Sequence, residues 1–237
     1  YLEEAALSPD PRLRGRARLV LADLRLGALE QQWRAYAALP DDDMDLEQGC
    51  LLLSHLTSGD VNDAAVRSFL DATAGLVRAH MVNVGGLQAL NEVLFENLGF
   101  RGGDFEQPEC HYLNSVLERR AGSPISLAAV YVLVGLRAGL PVSGVAMPGH
   151  YLSRYDGPDG PVFVDCYNRG RMYQPETLTN VLANRGLTRT QQYLAPTSNR
   201  FTLFRMMNNL EQLYQQAEDL RMIRTIRRFR AHLRPEA

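Results

Sequence analysis

Residues 122–141 read Gly-Ser-Pro-Ile-Ser-Leu-Ala-Ala-Val-Tyr-Val-Leu-Val-Gly-Leu-Arg-Ala-Gly-Leu-Pro, and this stretch decides the fold. Ser123 has the residue type that caps a helix by accepting from a backbone N–H, and Pro124 suits the first helical position because it has no N–H to leave unpaired. Apolar residues then continue from Ile125 to Ala138 around most of the helical circumference, which predicts a central, buried helix. Gly139 and Pro141 end it.

Downstream the periodicity changes from helix to strand. Val142–Met147, His150–Tyr155 and Val162–Tyr167 read as strands, the last two joined through Asp156, Gly157, Pro158, Asp159 and Gly160. A buried helix against an antiparallel sheet predicts an α+β fold. Upstream, Leu13–Leu39, Leu46–Leu56 and Val61–His80 carry helical spacing, with Ser58, Gly59 and Asp60 marking a break between the second and third. The stripe Leu13, Ala17, Val20, Leu24, Ala28 and Leu29 predicts an amphipathic first helix. Gly85 and Gly86 open a further helix that ends at Gly99, and Leu113, Val116 and Leu117 mark a short one. Phe201–Gln216 and Met222–Leu233 read as a helical pair, with Met207, Leu210, Tyr214, Ile223 and Pro235 at the spacing of one tetratricopeptide unit. The organisation expected is a helical segment over 1–85, an α+β core over 86–180 and a helical segment over 181–237.

Composition narrows the function. A net charge of -2 provides no basic footprint for a phosphate backbone, so nucleic acid is not the expected partner, and no apolar run is long enough to span a membrane. All 25 basic residues are Arg, which removes Schiff-base and lysine general-base chemistry. Cys50, Cys110 and Cys166 form no CxxC pair and predict a reducing, cytoplasmic setting. Nothing in the sequence calls for a cofactor or a metal. The chain starts at Tyr1 rather than Met, so a leading segment removed from it is allowed for.

The ordered set LNEVLFENLGFRG from Leu90, YLNSVLERRAGSPISLAAVYVLVGLRAGLPVSGVAMPGHYL from Tyr112 and FVDCYNRG from Phe163 resembles the SirB branch of the transglutaminase-like superfamily. It also resembles the central region of a ubiquitin-ligase F-box protein. The resemblance implies a papain- or transglutaminase-like core with a nucleophile at the start of the central helix, a His on the following strand and an Asp on the next. Those positions are Ser126, His150 and Asp165. Ser126 would sit where unpaired N–H groups and the positive end of the helix dipole stabilise an anion. His150 would take its proton, and Asp165 would orient the imidazole. A hairpin register setting His150 directly opposite Asp165 is expected to bring those two together.

Two departures matter. Serine stands where the family usually carries cysteine, and a hydroxyl is the weaker nucleophile. The segment before the Glu118–Arg119–Arg120 run reads Pro108-Glu109-Cys110-His111-Tyr112-Leu113-Asn114, where the family pattern is PxNSYLN, so Cys110 and His111 are peculiar to this chain. Ser126 also suits a purely helix-capping role, His150 a structural one, Cys110 simple packing and Asp165 the holding of the turn that follows it. Cys166, alternating with Asp165, should point away from the site. Arg119 and Arg120 are expected in an ion-pair cluster, or near the cleft as partners for a carboxylate. The function expected is a regulatory or adaptor protein, with a degenerate Ser-His-Asp site and a protein or peptide partner. The alternative is a serine-dependent hydrolase or acyltransferase acting on a peptide or amide bond.

Overall fold

The computed structural model describes residues 1–57 and 61–233, so the expected break at Ser58–Asp60 and the repeat position Pro235 lie outside the described residues. A short helix, α1 (Leu2–Ala6), folds back on α2 (Pro11–Ala37), which begins where the Asp10 carboxylate accepts from the Arg12 N–H at 2.9 Å. Asp45 and Asn62 start α3 (Leu46–Ser54) and α4 (Asp63–Val84) in the same way. Gly85, at φ 82°, admits the sharp entry into α5 (Gly86–Asn91). That helix widens over Glu92–Asn97, where the Leu98 N–H reaches the Val93 carbonyl at 3.0 Å, and stops at Gly99.

Two two-residue strands, β1 (Arg101–Gly102) and β2 (Ala121–Gly122), pair in parallel on either side of α6 (Leu113–Arg119). They hold the loop at 103–112 against the start of α7 (Pro124–Arg137). Ser123 caps α7, Pro124 opens it, and every residue from Ile125 to Gly135 is buried, as the sequence requires. Burying each such Leu or Val is worth about 1.5–3 kcal/mol, so this helix is the main anchor of the fold.

The sheet follows as an antiparallel meander of β3 (Val142–Val145), β4 (Leu152–Gly157), β5 (Gly160–Asp165) and β6 (Arg171–Tyr173). The β4–β5 register pairs Ser153 with Val164 and Gly157 with Gly160 across a tight turn at Pro158–Asp159. This corrects the expected register. Val164 faces Ser153, so Asp165 falls beside Leu152 rather than His150, and His150 lies two residues upstream in the connection from β3. The reason is the turn at Met147–His150, closed by a His150 N–H to Met147 carbonyl bond of 3.1 Å with Gly149 at φ 75°, which consumes residues the sequence reading gave to the strands. An offset of two keeps both residues on the same side by the period of the pleat.

The chain finishes with α8 (Pro175–Asn184), α9 (Thr190–Tyr193), α10 (Asn199–Gln216) and α11 (Leu220–Arg230). One face of the sheet shares a core with α7, to which Val142, Tyr151, Val164 and Cys166 belong. The other face, with Val145, Leu152 and Phe163, packs under Leu178 and Leu182 of α8. The main core runs from Trp33 on α2 to Phe229 on α11, and the Trp33 indole N–H donates to the Phe229 carbonyl at 2.8 Å. The helix expected over 13–39 forms, but much of its apolar stripe does not bury: Leu13, Val20 and Leu24 are exposed. Docking of α2 onto the main core begins at Leu26 and Leu29 and is completed by Trp33, Tyr36 and Ala37.

Candidate functional site

A cleft of about 440 Å³ opens at the N-terminal end of α7. One wall is the helix start, Ser123–Ile125, and the next is the turn Gly149–Tyr151. The loop residues Phe105 and Glu106, with His111 behind them, form a third side, and α10 forms the fourth. The loop at 101–108 borders the cleft, and the segment at 184–199 does not.

The structure joins two of the three expected groups. His150 Nε2 lies 2.9 Å from Asp165 Oδ2. Asp165 is almost fully buried, and it accepts from the Asn168 backbone N–H at 3.2 Å and its side-chain amide at 2.8 Å. Burial pushes the Asp165 carboxyl upward, but the hydrogen bonds from His150 and Asn168 outweigh it and hold the group below the ordinary carboxylate range. Asp165 therefore does two jobs, seating the imidazole and closing the turn that leads to β6.

Ser126 is placed differently. Its side chain is buried, it is not among the residues lining the cleft, and its hydroxyl donates to the Cys110 carbonyl at 2.7 Å. The Ser123 Oγ lies 2.9 Å away. The space around Ser126, between Cys50, Leu53, Ala129 and Met206, has no room for a water molecule. A Cβ added at Gly122 would come within 2.7 Å of the Ser126 Oγ, so the chain passes as closely as glycine allows. The turn at Pro108–Cys110 supplies the carbonyl that holds this hydroxyl.

The secondary candidates separate as well. His111 lines the cleft, its Nε2 bonded to the Phe105 carbonyl at 2.8 Å and its Nδ1 buried without a partner. Burial lowers its pKa, the Phe105 bond opposing, so the imidazole is neutral at pH 7 with Nδ1 as a bare acceptor. Cys110 is buried outside the cleft lining, and burial pushes its thiol up despite the opposing charge of Arg119. Cys166 packs in the main core with its thiol 3.4 Å from the Ser153 hydroxyl, and burial raises it to about 12. No ion pair forms at Glu118, Arg119 or Arg120 among the described residues, which corrects the expected cluster. Arg120 instead adopts a left-handed conformation at φ 55° and lays its guanidinium over Phe69 and Phe100, 4.2 and 5.2 Å from the ring centres. Arg119 reaches Gln107 at 3.4 Å, and neither arginine lines the cleft. Among the described residues no three His, Cys, Asp or Glu side chains gather to hold a metal.

Sequence reasoning missed the contribution of α10. Arg205 donates through Nη2 to the carbonyls of Met147 and His150, both at 2.9 Å, and so fixes the turn that carries the imidazole. Asn209, Gln212 and Gln216 continue along the same wall. Residues 205, 209, 212 and 216 recur at four, three and four, a polar stripe visible in the sequence, but nothing local says that it faces a cleft.

Comparison with known proteins agrees with this architecture. The transglutaminase-like superfamily matches residues 64–208. UPF0162 proteins from two strains of Xylella fastidiosa, 9a5c and Temecula1, are each 32% identical over 197 residues, covering 77% of this chain and 69% of theirs. F-box only protein 21 of Mus musculus is 33% identical over 95 residues, 36% of this chain and 15% of that one. No solved structure matches. No helix among the described residues is long and apolar enough to cross a membrane. An α+β core in which α7 packs on an antiparallel sheet, a superfamily match across 64–208 and similarity over most of the chain to UPF0162 proteins lead to one conclusion: the protein belongs to the transglutaminase-like superfamily.

Proposed function

We propose that this protein is a regulatory or adaptor member of its superfamily, of the SirB branch, whose Ser126, His150 and Asp165 are a degenerate triad and whose cleft holds a segment of a protein partner. One observation carries the reading: the Ser126 hydroxyl is buried and committed to the Cys110 carbonyl at 2.7 Å, while His150, held by the buried Asp165, lines the open cleft. A nucleophile needs a hydrogen bond to its base and a path for substrate, and this hydroxyl has neither. Burial holds the thiols of Cys50 and Cys110 above their ordinary range, so neither replaces it. The similarity to F-box only protein 21 supports a role among protein partners. Three buried free cysteines support a reducing, cytoplasmic setting. Within the C-terminal pair, Met207, Leu210, Tyr214 and Ile223 are buried, which supports the tetratricopeptide-like reading of α10 and α11.

The test is covalent labelling with a fluorophosphonate probe for activated hydroxyls, analysed by intact mass. Wild type and Ser126→Ala should both stay unlabelled. A label on the wild type that Ser126→Ala loses would establish the hydrolase or acyltransferase in its place.

A further inference from the structure

The α10 wall of the cleft carries a ladder of neutral amides. Asn209, Gln212 and Gln216 all line the cleft, and none of their side chains makes a hydrogen bond with a described residue. Together with Arg205 they span twelve residues of helix, about 16 Å from first to last at 1.5 Å per residue. That length matches about five residues of extended chain at roughly 3.3 Å each. A carboxamide offers one acceptor and two donors, and a peptide unit offers one of each, so the two can bond reciprocally. A wall of this kind recognises main chain and ignores side-chain charge.

The facing side has complementary features. His111 is more than nine-tenths buried and bonds through Nε2 to the Phe105 carbonyl at 2.8 Å, so it backs the loop that carries Phe105. Phe105 is 55% exposed at the rim and stands edge-on to Tyr167 with ring centres 6.4 Å apart, a surface for an apolar side chain. Arg205, the cation on the α10 wall, donates through Nη2 to two carbonyls of the protein, which fixes it at one end of the ladder.

We propose that the cleft binds an extended polypeptide segment of about five residues, read mainly through its backbone by Asn209, Gln212 and Gln216, with an apolar side chain on Phe105. This rests on the reading of the cleft as a binding site and names what it binds. Main-chain bonding supplies affinity, and the aromatic rim supplies selectivity.

The probe is an array of acetyl- and amide-capped pentapeptides, with the strongest binder remeasured in solution by fluorescence anisotropy. The combined variant Asn209→Ala/Gln212→Ala/Gln216→Ala should keep the wild-type melting temperature and bind that peptide at least tenfold more weakly. The same peptide N-methylated at alternate amides should lose at least tenfold on wild type. Failure of every pentapeptide to bind wild type, or equal affinity of the best one for the triple variant, overturns the proposal. Fluorophosphonate labelling of Ser126 would instead overturn the non-catalytic reading, so the two failures are distinguishable.

Discussion

Ser126 and His150 belong to the same neighbourhood of the fold and to opposite physical regimes. Around Ser126 the chain is closed: Gly122 passes without room for a side chain, the hydroxyl is held by the Cys110 carbonyl, and no water fits. Around His150 the chain is open, with a cleft of about 440 Å³ bounded by unpaired amides and an exposed aromatic ring. The order of residues along a motif thus specifies which groups approach one another, but not which of them reaches solvent. That is settled by a turn, Pro108–Cys110, and by α10, whose Arg205 lies 55 residues downstream of His150.

From this contrast, substitutions on the closed side are expected to cost stability and those on the open side to cost binding. Asp165, which lies under the open side but is itself buried, should give the largest loss: Asp165→Ala removes the acceptor for His150 and two bonds from Asn168, about 2–3 kcal/mol in a denaturant titration. A loss under 0.5 kcal/mol would mean that the pair does not hold the turn. Gly122→Ala forces a methyl against Ser126 and Val116, and overpacking there should cost about 1–2 kcal/mol by the same measurement. An unchanged midpoint would show that the closed side has slack. Ser126→Ala, which gives up the bond to Cys110, should cost about 1 kcal/mol and leave peptide affinity as it was. The smallest effect belongs to Gln212→Ala, exposed on the open side, which should move stability by no more than about 0.5 kcal/mol.

Acid sharpens the same comparison. The Asp165 carboxyl is held below its unfolded value of about 3.9, so the folded state binds this proton less readily than the unfolded one. Its contribution is complete above that value and is lost as pH falls through the depressed one. The stability gap between wild type and Asp165→Asn should therefore be constant from neutrality to about pH 5 and shrink below about pH 4. A gap that persists to pH 2 would assign the difference to packing rather than to charge.

How much of this was legible in the sequence depends on distance along the chain. Helix α7 could be read nearly to the residue because Ser123, Pro124 and Gly139 act on neighbours, and the β4–β5 turn because Pro158 and Asp159 do the same. The three-residue strand β6 and the parallel pair β1–β2 are too short to show a period, and pairing across the fold creates them. The register between His150 and Asp165 was misjudged by two residues, since the length of the Met147–His150 turn depends on its closing bond and on Gly149, not on the strand pattern. The exposed stripe Leu13, Val20 and Leu24 shows the limit of periodicity: it identifies a face without saying that anything covers it. Arg205 carries no local signal at all, because its partners are 55 and 58 residues away.

The clamp made by Arg205 also bears on how the protein can be divided. Similarity to the superfamily stops at residue 208, in the middle of α10, so a polypeptide trimmed there would keep the guanidinium that secures the imidazole-bearing turn and lose the three carboxamides beyond it. Such a fragment, if it folded, would keep the framework of the cleft and lack the wall proposed to read a bound main chain.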